Sequence, residues 1–152
     1  LVHRLDNETS GVLLAARTRQ AYERLRSAFS SGDVHRVYRA RVTPMTGVPP
    51  AGQGECRLAL SARGARVRVD PDGRATHTLW RALDNYGLLE LEIKTGHRHQ
   101  IRVHLASQDW PILGDVLYGG APHARLALHC AELAWSDQRV VSPIPELLEP
   151  RH

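Results

Sequence analysis

Between Cys56 and Lys94 the chain repeats a short apolar–polar alternation broken by turn signals, and that pattern leaves few folds open. Cys56 to Leu60, Ala65 to Val69, Thr76 to Leu83 and Leu88 to Ile93 each read as a strand. Pro71-Asp72-Gly73 separates two of them. Proline presets one backbone torsion there and glycine supplies a positive one, which is the chemistry of a tight turn. Asp84-Asn85-Tyr86-Gly87 separates the next two. Connections this short join antiparallel strands, because a parallel crossover needs roughly a dozen residues or more.

The flanking segments add to the same sheet. Val34 to Val42 alternates, with Val34, Arg36, Tyr38, Ala40 and Val42 on one face and His35, Val37, Arg39 and Arg41 on a basic one. Residues 11 to 17 read as a buried strand, and Leu126 to Ala134 as a last apolar one. Thr18 caps an expected helix running to about Ser30, stopped by Gly32, with Tyr22 and Phe29 as core anchors. Ile101, His104, Leu105 and Gln108 fall at helical spacing, so a short helix is expected from Arg98 or His99. Residues 43 to 54 and Trp110 to Gly120 read as loops, and Pro143-Ile144-Pro145 begins a tail. The expected fold class is α+β: a mixed, mainly antiparallel sheet with a few packed helices, in one domain over residues 1–152.

Composition narrows the function classes. Hydrophobic residues are 42% and charged residues 24%, which excludes a disordered chain. No run of eighteen apolar residues and no charged-then-apolar leader is present, so no membrane contact is expected. The two cysteines, Cys56 and Cys130, are far apart, which argues against a zinc knuckle and fits a reducing cytoplasm. Net charge is +4, and Lys94 is the only lysine among 20 basic residues. Guanidinium groups fork onto phosphates and stack on bases, so this bias suits a nucleic-acid partner, although an arginine-rich genome produces the same composition.

Two polar stretches stand out as candidate sites. The first is His3-Arg4-Leu5-Asp6-Asn7-Glu8-Thr9-Ser10-Gly11, placed just before an apolar run, where a fold presents side chains at the rim of a sheet. Asp6 there reads either as a reactive carboxylate or as an Asx-turn bonding its own backbone. The second is Thr95-Gly96-His97-Arg98-His99-Gln100-Ile101-Arg102-Val103-His104.

In this order the two stretches resemble the RluA family of RNA pseudouridine synthases. The family's H-R-L-D-x-x-T-S-G run matches residues 3 to 14 with the apolar residues that follow, and its T-G-R-x-H-Q-I-R-x-H run matches residues 95 to 104. A third run, P-I-x-G-D-x-x-Y-G, matches Pro111 to Gly119. Val37-Tyr38-Arg39-Ala40, Asp72-Gly73-Arg74-Ala75-Thr76 and Leu126 to Ala131 also fit, so the resemblance covers nearly the whole chain. It implies a pseudouridine synthase catalytic domain, without its N-terminal part, acting on uridines of rRNA or tRNA with no metal or organic cofactor; a cytoplasmic monomer is the accompanying expectation.

The resemblance also implies roles. Asp6 becomes the catalytic carboxylate and Arg102 its partner; Tyr38 lies against the base. Arg4 steers the flipped nucleotide, and Ile93 supplies an apolar wall. His3, Arg98, His99 and Gln100 join the substrate-binding set. Four of these have a plainer reading: Arg102 as an exposed helix residue, Tyr38 and Ile93 as core, Arg4 as a phosphate contact. The chain departs from the family in having His97 after Thr-Gly, where arginine is usual, and Arg98 offers a charge from a different direction. Arg36 stands where a lysine is usual.

Rival classes fare less well. His97, His99 and His104 invite a metal reading, but their neighbours are arginines and no carboxylate or thiolate lies close in sequence. Ser10 is not in a Gly-x-Ser-x-Gly elbow, which argues against a hydrolase. A glycosidase needs two carboxylates; Glu8 offers a second, but an arginine-lined site suits RNA phosphates better. The remaining alternative is a catalytically weak or inactive RNA-binding module of the same fold.

Overall fold

The computed structural model describes residues 1–151, and among these eight strands form one sheet. In chain order the elements are β1 (Ser10–Gly11), α1 (Arg19–Ser31), β2 (His35–Arg41), β3 (Gln53–Arg63), β4 (Arg66–Val69), β5 (Arg74–Ala82), β6 (Leu88–Ile93), α2 (Gln100–Ala106), β7 (Leu128–Trp135) and β8 (Gln138–Val141). The spatial order is β1-β7-β2-β6-β5-β3-β4, with β8 also on β7. Every pairing is antiparallel except the short parallel contact of β1 with β7. The α+β class expected from the alternation is the class observed.

The core lies where β2, β6 and β7 meet. Ala40, Leu88, Leu89, Leu91, Leu128, Cys130 and Leu133 are almost wholly excluded from solvent. Burial pushes the Cys130 thiol up to about 11, so it is a packed thiol and not a nucleophile. A smaller cluster of Leu60, Val67 and Val103 holds α2 against the β3–β4 hairpin.

Three expectations need correction. The strand expected over residues 11 to 17 is confined to Ser10–Gly11. Its edge of β7 is taken over from Glu132 onward by β8, where Glu132 pairs with Val141. The strand β8 has no sequence signature, because all four of its residues are exposed and carry no alternation. Tyr22 is not a core anchor: it is 36% exposed and its hydroxyl accepts from Arg26. The helix that carries it is placed as expected, with Thr18 accepting from the Ala21 amide and Gly32 closing it at φ 84°.

A chain of hydrogen bonds ties α2 to β5. The Gln100 amide nitrogen donates to the His77 carbonyl and to the Thr78 hydroxyl, both at 3.0 Å. The Thr78 hydroxyl lies 2.9 Å from His104 Nδ1, and His104 Nε2 lies 2.8 Å from the Thr76 hydroxyl. Thr76 in turn donates to the Leu58 carbonyl at 2.7 Å. Followed donor to acceptor, the chain fits a neutral imidazole protonated at Nε2. His104 is therefore a core residue and not a metal ligand. Its side chain is wholly buried, and desolvation, with the nearby His77, lowers its pKa to about 4.

This generates a pH prediction. The unfolded chain takes up a proton at His104 near pH 6.5, whereas the folded chain resists until about pH 4. Stability from this group is complete above the unfolded value and is lost as pH falls from about 6.5 toward 4, by up to about 3 kcal/mol. Urea unfolding at stepped pH should show this loss, and His104→Gln should flatten the slope across that window.

Candidate active site

Asp6 is presented by a loop pinned at both ends. The Val2 amide donates to the Leu14 carbonyl at 3.1 Å, and the Leu14 amide donates to His3 Nε2 at 3.1 Å. The Val12 amide donates to the Cys130 carbonyl on β7. Inside the loop the Thr9 amide bonds the Asp6 backbone carbonyl at 2.9 Å, so the turn is closed by main chain. The Asx-turn reading of Asp6 fails on this geometry: no hydrogen bond among the described residues uses its carboxylate, which is 15% exposed.

Two basic groups face that carboxylate. Arg102 Nη1 lies 4.0 Å from Oδ2 and His99 Nε2 lies 4.0 Å from Oδ1. Arg102 is not an exposed helix residue: its side chain is 5% exposed on α2. Its other edge forms a two-pronged pair with Asp115, at 2.8 and 2.7 Å, and Asp115 is fully buried. Burial alone lowers the guanidinium pKa, but the Asp115 bonds and charge outweigh it and the net shift is upward. The guanidinium also rests over the Tyr118 ring, 5.1 Å from its centre.

His99 is turned inward by backbone geometry. It adopts φ 54°, a left-handed conformation unusual for a side chain of this size. Its neighbour Gln100 is anchored on two sides: Oε1 accepts from the Thr95 hydroxyl and the His97 amide, and its amide nitrogen reaches β5. His99 Nδ1 lies 2.7 Å from the Tyr118 hydroxyl, which accepts from the Val67 amide. With Tyr118 donating to Nδ1, the imidazole proton sits on Nε2, facing Asp6. Burial lowers the His99 pKa, opposed by Asp6 and assisted by Arg102 and Arg98.

The cavity in front of these groups encloses about 480 Å³, within the usual range for small-ligand sites. His3, Arg4, Asp6, Tyr38, Ile93, Arg98, His99, Gln100 and Arg102 all line it, so residues from both polar stretches converge on one space. Their commitments differ. Tyr38 is 7% exposed, belongs to the core as well as the wall, and burial pushes its phenol far above the ordinary range. Ile93 is likewise both core and wall. Arg4 is exposed at the rim. His3 stacks on Phe29 with ring centres 4.8 Å apart, and burial lowers its pKa, which keeps Nε2 free to accept from Leu14. Gln100 is 2% exposed and spends its amide on the protein. Arg98 reaches the Gly64 and Arg66 carbonyls at 2.6 and 3.3 Å, which ties it to the β3–β4 hairpin.

Asp115 and Tyr118 had no role assigned from sequence. The available signal was their place at the fixed acid and tyrosine of the P-I-x-G-D-x-x-Y-G run; their partners are 13 and 19 residues upstream and become visible only in three dimensions.

A family model described as RNA pseudouridylate synthase matches residues 1–107. The chain belongs to the RNA pseudouridine synthases of the RluA type. An uncharacterized RNA pseudouridine synthase of Chloroflexus aurantiacus is 37% identical over 98% of this chain and 51% of its own length. The ribosomal large subunit pseudouridine synthase D of Xanthomonas campestris is 41% identical over 80% of this chain and 37% of its own. The chain thus spans about half the length, or less, of these curated relatives. Human RNA pseudouridylate synthase domain containing 4 shares the fold, with a TM-score of 0.81 at 24% identity, over 97% of this chain and 72% of that one. No helix among the described residues is long and apolar enough to cross a membrane.

The geometry of the site predicts unequal effects for its two acids. Asp115→Asn leaves the buried Arg102 without its counter-charge and should cost about 3–5 kcal/mol in chemical denaturation. Asp6→Asn removes no protein hydrogen bond and should stay within about 1 kcal/mol of the unaltered protein.

Proposed function

We propose that the protein carrying this chain converts specific uridines of structured RNA to pseudouridine, with ribosomal RNA as the substrate class and Asp6 as the reacting carboxylate. The observation that carries this is the state of Asp6: uncommitted to the protein, at the wall of a cavity, facing a guanidinium immobilised by Asp115. A carboxylate that served only the fold would be bonded to it. The relatives named for the large ribosomal subunit support rRNA over tRNA.

The reaction breaks the uracil N1 to ribose C1′ bond and joins C1′ to C5. N1 gains a proton and C5 loses one, so the change balances within the nucleotide. A negative group beside C1′ serves either as the nucleophile at that carbon or as the base that takes a ribose proton to form a glycal; both routes use Asp6 as an anion. Arg102 holds that anion in place at 4.0 Å, and Asp115 holds Arg102. The target base has to leave its stack, at a cost of a few kcal/mol. Tyr38 offers an aromatic surface at the cavity wall and Ile93 an apolar one, which offset that cost; base stacking on an aromatic contributes about 1–3 kcal/mol. Arg4, exposed at the rim, meets the strand that enters.

The test is a pseudouridine map of ribosomal RNA from cells lacking the gene, complemented with the complete gene or its Asp6→Asn form. The complete gene should restore at least one modified position, and Asp6→Asn should restore none while the protein still accumulates. Restoration by both would remove Asp6 from the mechanism. Restoration by neither, with RNA binding retained, would leave an RNA-binding module in place of an enzyme.

A further inference from the structure

Of the two buried charged residues in the cavity wall, Arg36 and Arg102, Arg36 is the one that the proposed chemistry does not use. It is 7% exposed, and its Nε is sealed from solvent without a hydrogen-bond partner. Among the described residues no carboxylate pairs with it. Its surroundings are neutral or positive: Phe29, whose ring centre is 5.8 Å from the guanidinium carbon, with His3, Tyr38 and Cys130 nearby. Burial lowers its pKa, outweighing the opposing influence of Tyr38 and Cys130. Arg102, in the same cavity, is shifted the other way by Asp115. A buried guanidinium without an anion is costly to maintain, and a fold that keeps one in a cavity wall leaves the counter-charge to be supplied from outside.

Position says what the anion is. Arg36 and Tyr38 lie two residues apart on the same face of β2, roughly 7 Å along the strand. That is the scale of the offset between a base and a phosphate of its own nucleotide. The guanidinium lies close to Gly96, where an added Cβ would be 2.6 Å from Arg36 Nη1. The absence of a side chain at Gly96 lets the fork stand in the wall.

We propose that Arg36 receives a backbone phosphate flanking the target uridine, a contact that rests on reading this cavity as an RNA site. It is a binding contact formed before and during the reaction, so its loss acts on KM and not on kcat.

Two measurements test this, the first independent of turnover. Inorganic phosphate is titrated into the protein while arginine Nε–H signals are followed by NMR, with the Arg36 signal identified by its loss in Arg36→Lys. The Arg36 signal should move at roughly tenfold lower phosphate than those of exposed arginines such as Arg19 and Arg24. Gly96→Ala, which crowds the fork without removing it, should abolish that preference while the protein stays folded. An Arg36 signal that moves no earlier than the exposed ones overturns the proposal.

The second uses RNA carrying the mapped uridine, with a neutral methylphosphonate at the linkage 5′ or 3′ to it. Arg36→Met should raise KM about tenfold with kcat within twofold, and should make the salt dependence of binding shallower by about one phosphate contact. One of the two neutral linkages should reproduce this in the unaltered protein and add nothing further in Arg36→Met, which also names the phosphate. Additive effects at both linkages, or an unchanged KM, overturn the assignment. Absence of pseudouridine with the NMR preference intact would sink the proposed reaction and leave the anion site standing.

Discussion

The two-pronged bond between Arg102 and Asp115 is the constraint on which the site depends. A guanidinium on α2 is brought into a space with almost no solvent, and Asp115 supplies the charge that makes this tolerable. Two of its nitrogens are committed to Asp115, so the third can point only one way, toward Asp6. Tyr118 closes the other face of the guanidinium and bonds His99, so three residues of two segments stand or shift together. The loop carrying Asp115 follows α2 directly, which makes the arrangement local in sequence except for Asp6 itself.

Rigidity on the α2 side comes from polar groups inside the core. Gln100 spends its whole amide on β5 and on the Thr95–His97 turn, and His104 continues the same chain of bonds between Thr76 and Thr78. Buried polar groups satisfied in this way fix one register of helix against sheet where apolar contacts would permit sliding. His99, left-handed beside that anchor, carries its imidazole to within 4.0 Å of the carboxylate.

Electrostatics separates two kinds of buried arginine in this fold. Arg41 and Arg102 are answered by protein: Arg41 by Asp84 and by carbonyls of the C-terminal tail, Arg102 by Asp115. Both stabilise geometry. Arg36 is answered by nothing in the described chain, and Arg4 at the rim is open to solvent. Only the unanswered charges are available to a polyanion, so the count of arginines alone says little about where RNA is held.

Much was legible from the residues. The alternation of Val34–Val42 and of the segments between Cys56 and Lys94 determined strands, because period-two patterning survives wherever one face is buried. Thr18 and Gly32 bounded α1 because capping is local chemistry. The two polar runs, joined by their resemblance to one family, named most of the groups that now line the cavity. What tertiary structure alone decided is which of those groups are spent and which are free. Gln100 and Arg98, indistinguishable in sequence from ligand-binding residues, are consumed by β5 and by the β3–β4 hairpin. Asp115 acquires a role and Arg36 is left without a partner. The strand β8, exposed on both faces, left no pattern to read. The reason is common to all of these: a side chain's hydrogen-bonding and charge requirements are properties of the residue, but whether the protein meets them depends on neighbours brought from far along the chain.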